Sequence, residues 1–260
     1  VYKRQHFGAN FWEDWERPIH FEILEQDLSG YSANAGVKIF GGWSRGQDQK
    51  SLSIFARSQY GYSSFEYPLF PNNEISAYES FVLRNSGNDW TSSMLRDGFI
   101  TGLADNTNID HQLYRPAVIY LNGEYWGIQN IREKVNEHFL SSHHDIPSEH
   151  IDLLDIQGTN PENIVHGTNI DYLHLLDFLN NNDIEDPSVQ SGIEGWIDIN
   201  SFMQYQAFQI FIDNRDWPGN NIKFWRDHRT SGKWRWILYD TDFGFGIWNP
   251  NAFGFHIPNP

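Results

Sequence analysis

Cysteine is absent from this chain of 260 residues, and methionine occurs only twice. The absence of cysteine excludes disulfide bonds, thiolate metal sites and cysteine nucleophiles, and it is compatible with both a reducing and an oxidising compartment. Positive charge is also scarce, because 18 Lys and Arg stand against 34 Asp and Glu, for a net charge of -16. Nonspecific nucleic-acid binding needs a basic surface, so nucleic acid is not an expected partner.

Long hydrophobic runs are missing as well. No window approaches the roughly 20 apolar residues of a membrane span, and the longest apolar stretches, such as residues 234–239, have the length of a strand. No charged and then apolar leader precedes the polar residues 1–10, so we expect any targeting signal to lie outside this sequence. The chain does contain 39% hydrophobic and 16% aromatic residues, which supply a folded core at this length.

The first half of the chain has the pattern of an antiparallel sheet. Short runs of β-branched and aromatic residues, separated by Gly, Ser and Asn clusters, predict strands at residues 19–24, 37–40, 51–57 and 80–85. Apolar residues at helical spacing from Met94 to Leu103 then predict one helix, with Asp89 as its N-cap. Two further strands, 117–121 and 126–131, flank Asn122-Gly123, a dipeptide typical of a two-residue hairpin turn.

The second half shows helical rather than alternating spacing of its apolar residues. Helices are predicted at residues 137–140, 170–179 and 199–212, with loops at 157–170 and 180–191. A late hairpin is predicted, with strands at residues 222–226 and 234–239 on either side of Thr230-Ser231-Gly232. We therefore expect an α+β fold in a single domain, with a β-rich lobe over residues 1–132 and a mainly helical lobe over residues 133–260.

Unusual polar residues concentrate in the loop between the last predicted helix and the late hairpin. Asp216 precedes Asn221 by five positions, and at this spacing in protein-kinase catalytic loops the Asp orients an acceptor hydroxyl while the Asn binds Mg²⁺. Downstream, Asp240 and Asp242 follow a predicted strand, and carboxylates there suit a Mg²⁺ that bridges nucleotide phosphates. Because one hairpin joins the two segments, we expect Asp216, Asn221 and Asp242 to meet at a phosphoryl-transfer site.

Four stretches carry longer motifs. They are Gly41-Gly42-Trp43-Ser44-Arg45 with Lys50-Ser51-Leu52, Leu83-Arg84-Asn85 with Asn88-Asp89-Trp90, Tyr120-Leu121-Asn122-Gly123-Glu124-Tyr125-Trp126-Gly127 through Arg132-Glu133-Lys134, and the segment from Asn220-Asn221 to Gly246. In these stretches the chain resembles the CotH family of atypical, spore-coat-type protein kinases. The resemblance implies a divergent, two-lobed protein-kinase-like fold that binds ATP between its lobes. It also implies transfer of the γ-phosphoryl group to Ser or Thr of a protein substrate, with Mg²⁺ or Mn²⁺, and an exported or cell-surface location.

Carried over position by position, the resemblance assigns roles to the residues of the late loop and hairpin. Asp216 matches the catalytic Asp, and Asn221 matches a metal-binding Asn. Either Asp240 or Asp242 would be the metal-binding Asp, and Asp242 is favoured because it precedes Phe243-Gly244.

In the β-rich lobe, the resemblance implies a cation that positions the phosphates. Lys50 or Arg84 would be this cation, with Glu133 as its carboxylate partner, and Arg45 is grouped with them as a nucleotide-binding candidate. The sequence departs from the kinase pattern, because it contains neither G-x-G-x-x-G nor V-A-I-K. Only 18 residues follow Asp242, which predicts a shortened or truncated C-terminal lobe.

Two other functions are compatible with these residues. Eleven Trp and twelve Tyr supply the aromatic platforms of carbohydrate-active proteins, in which Glu133 with Asp216 or Asp240 would form an acid and base pair. The other alternative is a catalytically inactive kinase-like scaffold, against which the intact Asp216, Asn221 and Asp242 argue. Plain structural roles also stay open, with Asp216 as a turn residue and Asn221 in a left-handed conformation.

Overall fold

The computed structural model describes residues 9–71, 73–157, 160–229 and 232–247. These residues form thirteen β-strands and five α-helices, which confirms the α+β class. In chain order the elements are β1 (Arg17–Leu24), β2 (Gly30–Phe40), β3 (Ser51–Phe55), β4 (Phe65–Glu66), β5 (Ala77–Tyr78), β6 (Ser80–Arg84), α1 (Arg96–Gly102), β7 (Asp110–His111), β8 (Tyr114–Leu121), β9 (Glu124–Glu133), α2 (Glu137–His144), β10 (Ile151–Gln157), β11 (Asn160–His166), α3 (Ile170–Asn181), α4 (Pro187–Trp196), α5 (Ile199–Phe211), β12 (Ile222–Asp227) and β13 (Arg235–Leu238).

The described residues divide into two compact units. The first comprises those up to Gly98 together with Leu113–Lys134, and the second comprises Phe99–Gln112 and those from Val135 onward. No helix in the described part of the chain has the length and hydrophobicity needed to cross a membrane.

The first unit is built on a six-stranded antiparallel sheet in the order β1-β2-β3-β6-β9-β8. The β8–β9 turn is Asn122-Gly123, as predicted, and both residues have positive φ, at 52° and 83°, as a two-residue type I′ turn requires. Aromatic side chains form much of the core, because the ring of Phe65 packs edge-on against Phe21 at 5.1 Å and against Phe81 at 5.8 Å. Every predicted strand of this unit is present, although β2 begins at Gly30 rather than at residue 37 and the short strands β4 and β5 were not predicted.

The second unit combines a five-stranded sheet with helices. Its strand order is β11-β10-β12-β13-β7, and the pairs are antiparallel except β13–β7. Alternate side chains enter two separate cores, because Phe224 belongs to the core that contains Tyr205 of α5, whereas the adjacent Trp225 belongs to the core that contains Leu140 of α2. This alternation follows from the period of two in a strand. The late hairpin is confirmed, although Thr230 and Ser231 of its turn lie outside the described residues.

Two predictions for the second half are wrong. The loop predicted at residues 157–170 contains β11, which pairs with β10, although residues 158–159 lie outside the described part. The loop predicted at 180–191 contains the start of α4, where Pro187 occupies the first turn and the Asp186 carboxylate accepts a hydrogen bond from the Ser188 N–H at 2.8 Å. An Asp cap followed by Pro is a helix-start signal. The two predicted loops of the second unit therefore contain a strand and a helix.

The position of α1 also differs from the prediction. The helix begins at Arg96 rather than directly after Asp89. Asp89 nevertheless contributes to the helix start, because its carboxylate accepts hydrogen bonds from the N–H of Ser93 and of Arg96, at 3.3 Å and 3.2 Å. Residues 248–260, on which the prediction of a shortened lobe depends, lie outside the described residues.

Candidate active site

The polar loop after α5 is held to the helix that precedes it. Asn214 is fully buried, and its side-chain nitrogen donates a hydrogen bond to Gln209 Oε1 at 3.0 Å. The side-chain oxygen of Asn214 accepts a hydrogen bond from the backbone N–H of Asp216 at 3.2 Å. Asn214 therefore connects α5 to the loop and sets the path of the backbone at Asp216. Sequence reasoning gave no role to this residue.

Two neighbouring amides orient the Asp216 carboxylate. The side-chain nitrogens of Asn220 and Asn221 donate hydrogen bonds to Asp216 Oδ2 at 3.0 Å and 2.7 Å. Because the nitrogen of Asn221 points at Asp216, the oxygen of the same amide points away from that carboxylate. The spacing of five residues thus places a carboxylate and a side-chain amide next to each other, and one hydrogen bond fixes the orientation of both groups.

Asp240 lies close enough to Asp216 to influence its protonation. Burial raises the pKa of Asp216 above the ordinary 3.8, and the charge of Asp240 raises it further, while the hydrogen bonds from Asn220 and Asn221 lower it. The upward effects dominate. Two carboxylates in this relation repel each other unless a cation or a proton lies between them. The pair therefore favours a bound cation or a shared proton.

The segment after β13 is tied to the start of the polar loop. The backbone N–H of Phe245 donates a hydrogen bond to the carbonyl of Ile212 at 2.5 Å. A Cβ at Gly244 would lie 3.1 Å from the Thr241 carbonyl oxygen and 3.3 Å from the Ile212 carbonyl oxygen, so a larger residue would crowd the backbone at this contact. Asp242 is buried at 1% exposure, whereas Asp240 is half-buried. The two carboxylates of this segment thus have different access to solvent.

Both segments contain left-handed backbone, with four of the ten such residues other than glycine in the described part of the chain. Four residues that are not glycine have left-handed conformations, with φ of 48° at Asp213, 54° at Asn221, 53° at Asp240 and 49° at Phe245. Such conformations are uncommon outside glycine. They persist where the surrounding structure holds them, and they cluster at functional sites. The left-handed conformation that the sequence allows for Asn221 is therefore present, alongside its side-chain contact with Asp216.

The donor set fits a metal that arrives with a phosphate-bearing ligand. Among the residues that the structure describes, no group of three or more His, Cys, Asp or Glu side chains forms a metal-ligand cluster. Mg²⁺ in phosphate-transfer sites is commonly held by one or two carboxylates together with substrate phosphates and water. The Asn221 amide oxygen and the Asp240 carboxylate are hard oxygen donors of the kind such an incomplete set requires.

In the first unit, Lys50 and Arg45 both bind backbone carbonyls of the nearby turn. Lys50 Nζ donates to the carbonyls of Arg45 at 2.8 Å and Gln47 at 2.5 Å, and it lies 4.2 Å from the centre of the Phe11 ring. Burial lowers the pKa of Lys50. Arg45 Nε donates to the Gly41 carbonyl at 2.6 Å. Both cations therefore stabilise the glycine-rich turn in this structure.

Arg84 and Glu133 belong to a set of buried charges in the same unit. Arg84 Nε lies 3.4 Å from Asp97 Oδ2, and Arg132 Nη2 lies 3.4 Å from the same oxygen. Glu133 is 3% exposed, and its Oε2 accepts a hydrogen bond from the Leu113 N–H at 2.9 Å. Sequence reasoning missed Asp97, which no recognisable motif marks, and gave no role to the buried Arg132.

Comparison with known protein families gives a match. The family model described as CotH kinase protein matches residues 37–259, a range that includes every site residue described above. No curated protein matches the chain.

Proposed function

The chain belongs to the CotH kinase family, and we propose that it transfers the γ-phosphoryl group of ATP to a Ser or Thr hydroxyl of a protein substrate. The observation that carries this proposal is the pairing of Asp216 with Asn221 at 2.7 Å, with Asp240 near enough to raise the pKa of Asp216. In this proposal the two units are the lobes of a divergent kinase-like fold. Family resemblance alone supports an exported or cell-surface location.

Asp216 acts as the general base in this proposal. The hydroxyl oxygen forms a bond to the γ-phosphorus, the bond from that phosphorus to the bridging oxygen breaks, and ADP leaves with the electron pair. The hydroxyl proton passes to Asp216, whose Oδ2 already accepts two hydrogen bonds, so Oδ1 is the oxygen assigned to receive it. A raised pKa makes the carboxylate a stronger base than an ordinary Asp at neutral pH.

A divalent cation, Mg²⁺ or Mn²⁺, would neutralise charge on the phosphates when bound. The Asn221 amide oxygen and one carboxylate after β13 would hold it. The motif favours Asp242 for this role, whereas exposure favours Asp240, because Asp242 is only 1% exposed. We assign the metal to Asp240 and give Asp242 the role of fixing the segment.

For the phosphate-positioning cation, the contacts favour Arg84 over Lys50. The ammonium of Lys50 is already bound by two carbonyls and an aromatic ring. Arg84 instead lies 3.4 Å from Asp97, which holds its guanidinium in place as the kinase Lys–Glu pair holds the lysine. Glu133 and Arg45 stay predictions for the nucleotide site, since Glu133 accepts a hydrogen bond from the Leu113 N–H and Arg45 donates one to the Gly41 carbonyl.

The test is transfer of labelled phosphate from ATP by the purified chain, with Mg²⁺ or Mn²⁺ and a dephosphorylated casein as acceptor. We expect metal-dependent labelling of the casein or of the chain itself, and its loss in Asp216→Asn. A parallel thermal-shift titration with ATP and metal measures binding, since a ligand at 100 times its dissociation constant stabilises the native state by about 2.7 kcal/mol. A thermal shift without transfer would instead support an inactive scaffold. A shift with oligosaccharides but not ATP would support a carbohydrate enzyme.

A further inference from the structure

One buried carboxylate on β10 joins the two strands that flank the candidate active site. Asp155 is 2% exposed, and its Oδ2 lies 2.8 Å from Nζ of Lys223, directly across on β12. Asp155 Oδ1 accepts a hydrogen bond from the hydroxyl of Tyr239 at 3.3 Å. Tyr239 directly follows the end of β13. A single side chain therefore ties together β10, β12 and the exit of β13.

The two partners of Asp155 are close in sequence to the proposed metal ligands. Lys223 follows Asn221 by two positions, and Tyr239 directly precedes Asp240. Two residues of extended chain span at most about 7 Å, so anchoring Lys223 and Tyr239 restricts where Asn221 and Asp240 can move. Both proposed ligands also have left-handed backbones, which persist only when their surroundings hold them.

The chemistry of the Asp155 contacts favours a role in placement over a role in stability. A buried ion pair contributes little net stability, because desolvation of the two charges offsets their attraction. Its hydrogen bonds are nevertheless directional and stronger than neutral ones. Asp155 contacts β12 through one carboxylate oxygen and the residue after β13 through the other. This arrangement restrains the two segments relative to each other at the end nearest the site.

We propose that Asp155 is a positioning residue of the phosphoryl-transfer site, which acts through Lys223 and Tyr239 to hold Asn221 and Asp240 in metal-binding geometry. This inference rests on the proposed function for its catalytic part. Its structural part, the local restraint of the two ligand-bearing segments, is measurable without any activity.

The same two strands contain a matched control. Asp152 is also 2% exposed on β10, and its Oδ2 lies 3.1 Å from Nε of Arg226, directly across on β12. Arg226 is five positions from Asn221, compared with two for Lys223. Asp152→Asn therefore removes a buried carboxylate charge of the same kind without touching the contacts near the proposed ligands.

The experiment compares Asp155→Asn with Asp152→Asn in the full chain. Hydrogen exchange followed by mass spectrometry should show faster exchange in peptides covering residues 220–223 and 238–244 in Asp155→Asn only. In the phosphate-transfer assay, Asp155→Asn should raise the half-saturating metal concentration about 10-fold or more, as loss of residues that orient metal ligands does. Excess metal should restore part of its rate. Asp152→Asn should keep the metal dependence of the unsubstituted protein.

Equal exchange at those peptides in the two variants would overturn the proposal, and so would a rate loss in Asp155→Asn that excess metal does not reduce. If the unsubstituted protein transfers no phosphate, the proposed function fails. The exchange comparison still shows whether Asp155 restrains residues 220–223 and 238–244. Should Asp155→Asn not fold, Tyr239→Phe removes only the hydroxyl contact and is expected to loosen residues 238–244. Lys223→Arg, which keeps the ion pair, should retain the original metal dependence, unlike Lys223→Met.

Discussion

The side-chain nitrogen of Asn221 lies 2.7 Å from Oδ2 of Asp216 and donates a hydrogen bond to it. The amide assigned to the metal is therefore the same group that orients the carboxylate assigned to the proton. Asn220 donates to the same oxygen at 3.0 Å, but it has only the second of these roles. The adjacent pair thus separates metal binding from orientation of the base.

Asn221→Ala should impair transfer in two ways, whereas Asn220→Ala should impair it in one. Loss of the Asn221 oxygen weakens metal binding, so the half-saturating metal concentration should rise by about 10-fold or more, and the maximal rate should also fall. Asn220→Ala should lower the maximal rate while the metal dependence stays unchanged. Initial rates over a metal titration measure both quantities. Equal metal dependence in the two variants would remove Asn221 from the metal site.

Asp216→Asn should abolish most of the activity and raise the stability of the protein at neutral pH. Loss of a general base costs about 10²–10⁴ in rate. The raised pKa of Asp216 means that the native state binds more protons than the unfolded state between the ordinary and the raised pKa. The free energy of unfolding therefore falls as pH rises through that window, and at neutral pH the full cost of the charge is present.

The Asn variant lacks this cost, so its melting temperature should exceed that of the unsubstituted protein at neutral pH. The difference should shrink as pH falls through the raised pKa and should vanish below about 4, the ordinary pKa of Asp, where the charge is lost from both states. Thermal melts over a pH series measure the difference. A melting temperature of the variant that is lower at neutral pH, with no dependence on pH, would contradict the electrostatic account of Asp216.

Asp240→Asn and Asp242→Asn should have different effects. Asp240 is half-buried and its charge raises the pKa of Asp216, so its neutralisation should raise the half-saturating metal concentration and bring the pKa of Asp216 down towards its ordinary value. Asp242 is 1% exposed, so its neutralisation should chiefly lower the melting temperature. Metal titrations and thermal melts of the two variants distinguish the roles. A higher half-saturating metal concentration in Asp242→Asn alone would reverse the assignment and support Asp242, the residue that the motif favours, as the metal ligand.

Arg84→Gln should weaken nucleotide binding more than Lys50→Met. Arg84→Gln removes the cation proposed for the phosphates, and loss of an ionic contact of this kind costs about 1.5–3 kcal/mol, or roughly 10-fold or more in affinity. Lys50→Met removes the donor that binds the carbonyls of Arg45 and Gln47, so it should lower the melting temperature with little change in nucleotide affinity. Calorimetric titration with ATP and metal measures both affinities. The reverse order would restore Lys50 as the phosphate-binding cation.

Much of the local structure could be predicted because it depends on short-range sequence. Asn122-Gly123 forms the predicted turn since both residues accept positive φ, and the alternating strands of the first unit follow their side-chain pattern. The strand β11 could not be predicted in this way, because its segment is rich in Asn and Gly and becomes a strand only by pairing with β10. For α4 the reason is different, since Asp186 and Pro187 do mark its start within a segment otherwise typical of a loop.

The sequence by itself determined the α+β class, the late hairpin and the spacing of Asp216 and Asn221, because each of these depends on residues a few positions apart. Only the tertiary structure decided which carboxylate raises the pKa of Asp216, which cation is already bound by its own turn, and where Asp155 lies. Asp155 is 68 positions from Lys223, and strand pairing across such a separation is set by the packing of the whole sheet. The local sequence of β10 therefore does not predict which residue of β12 Asp155 contacts.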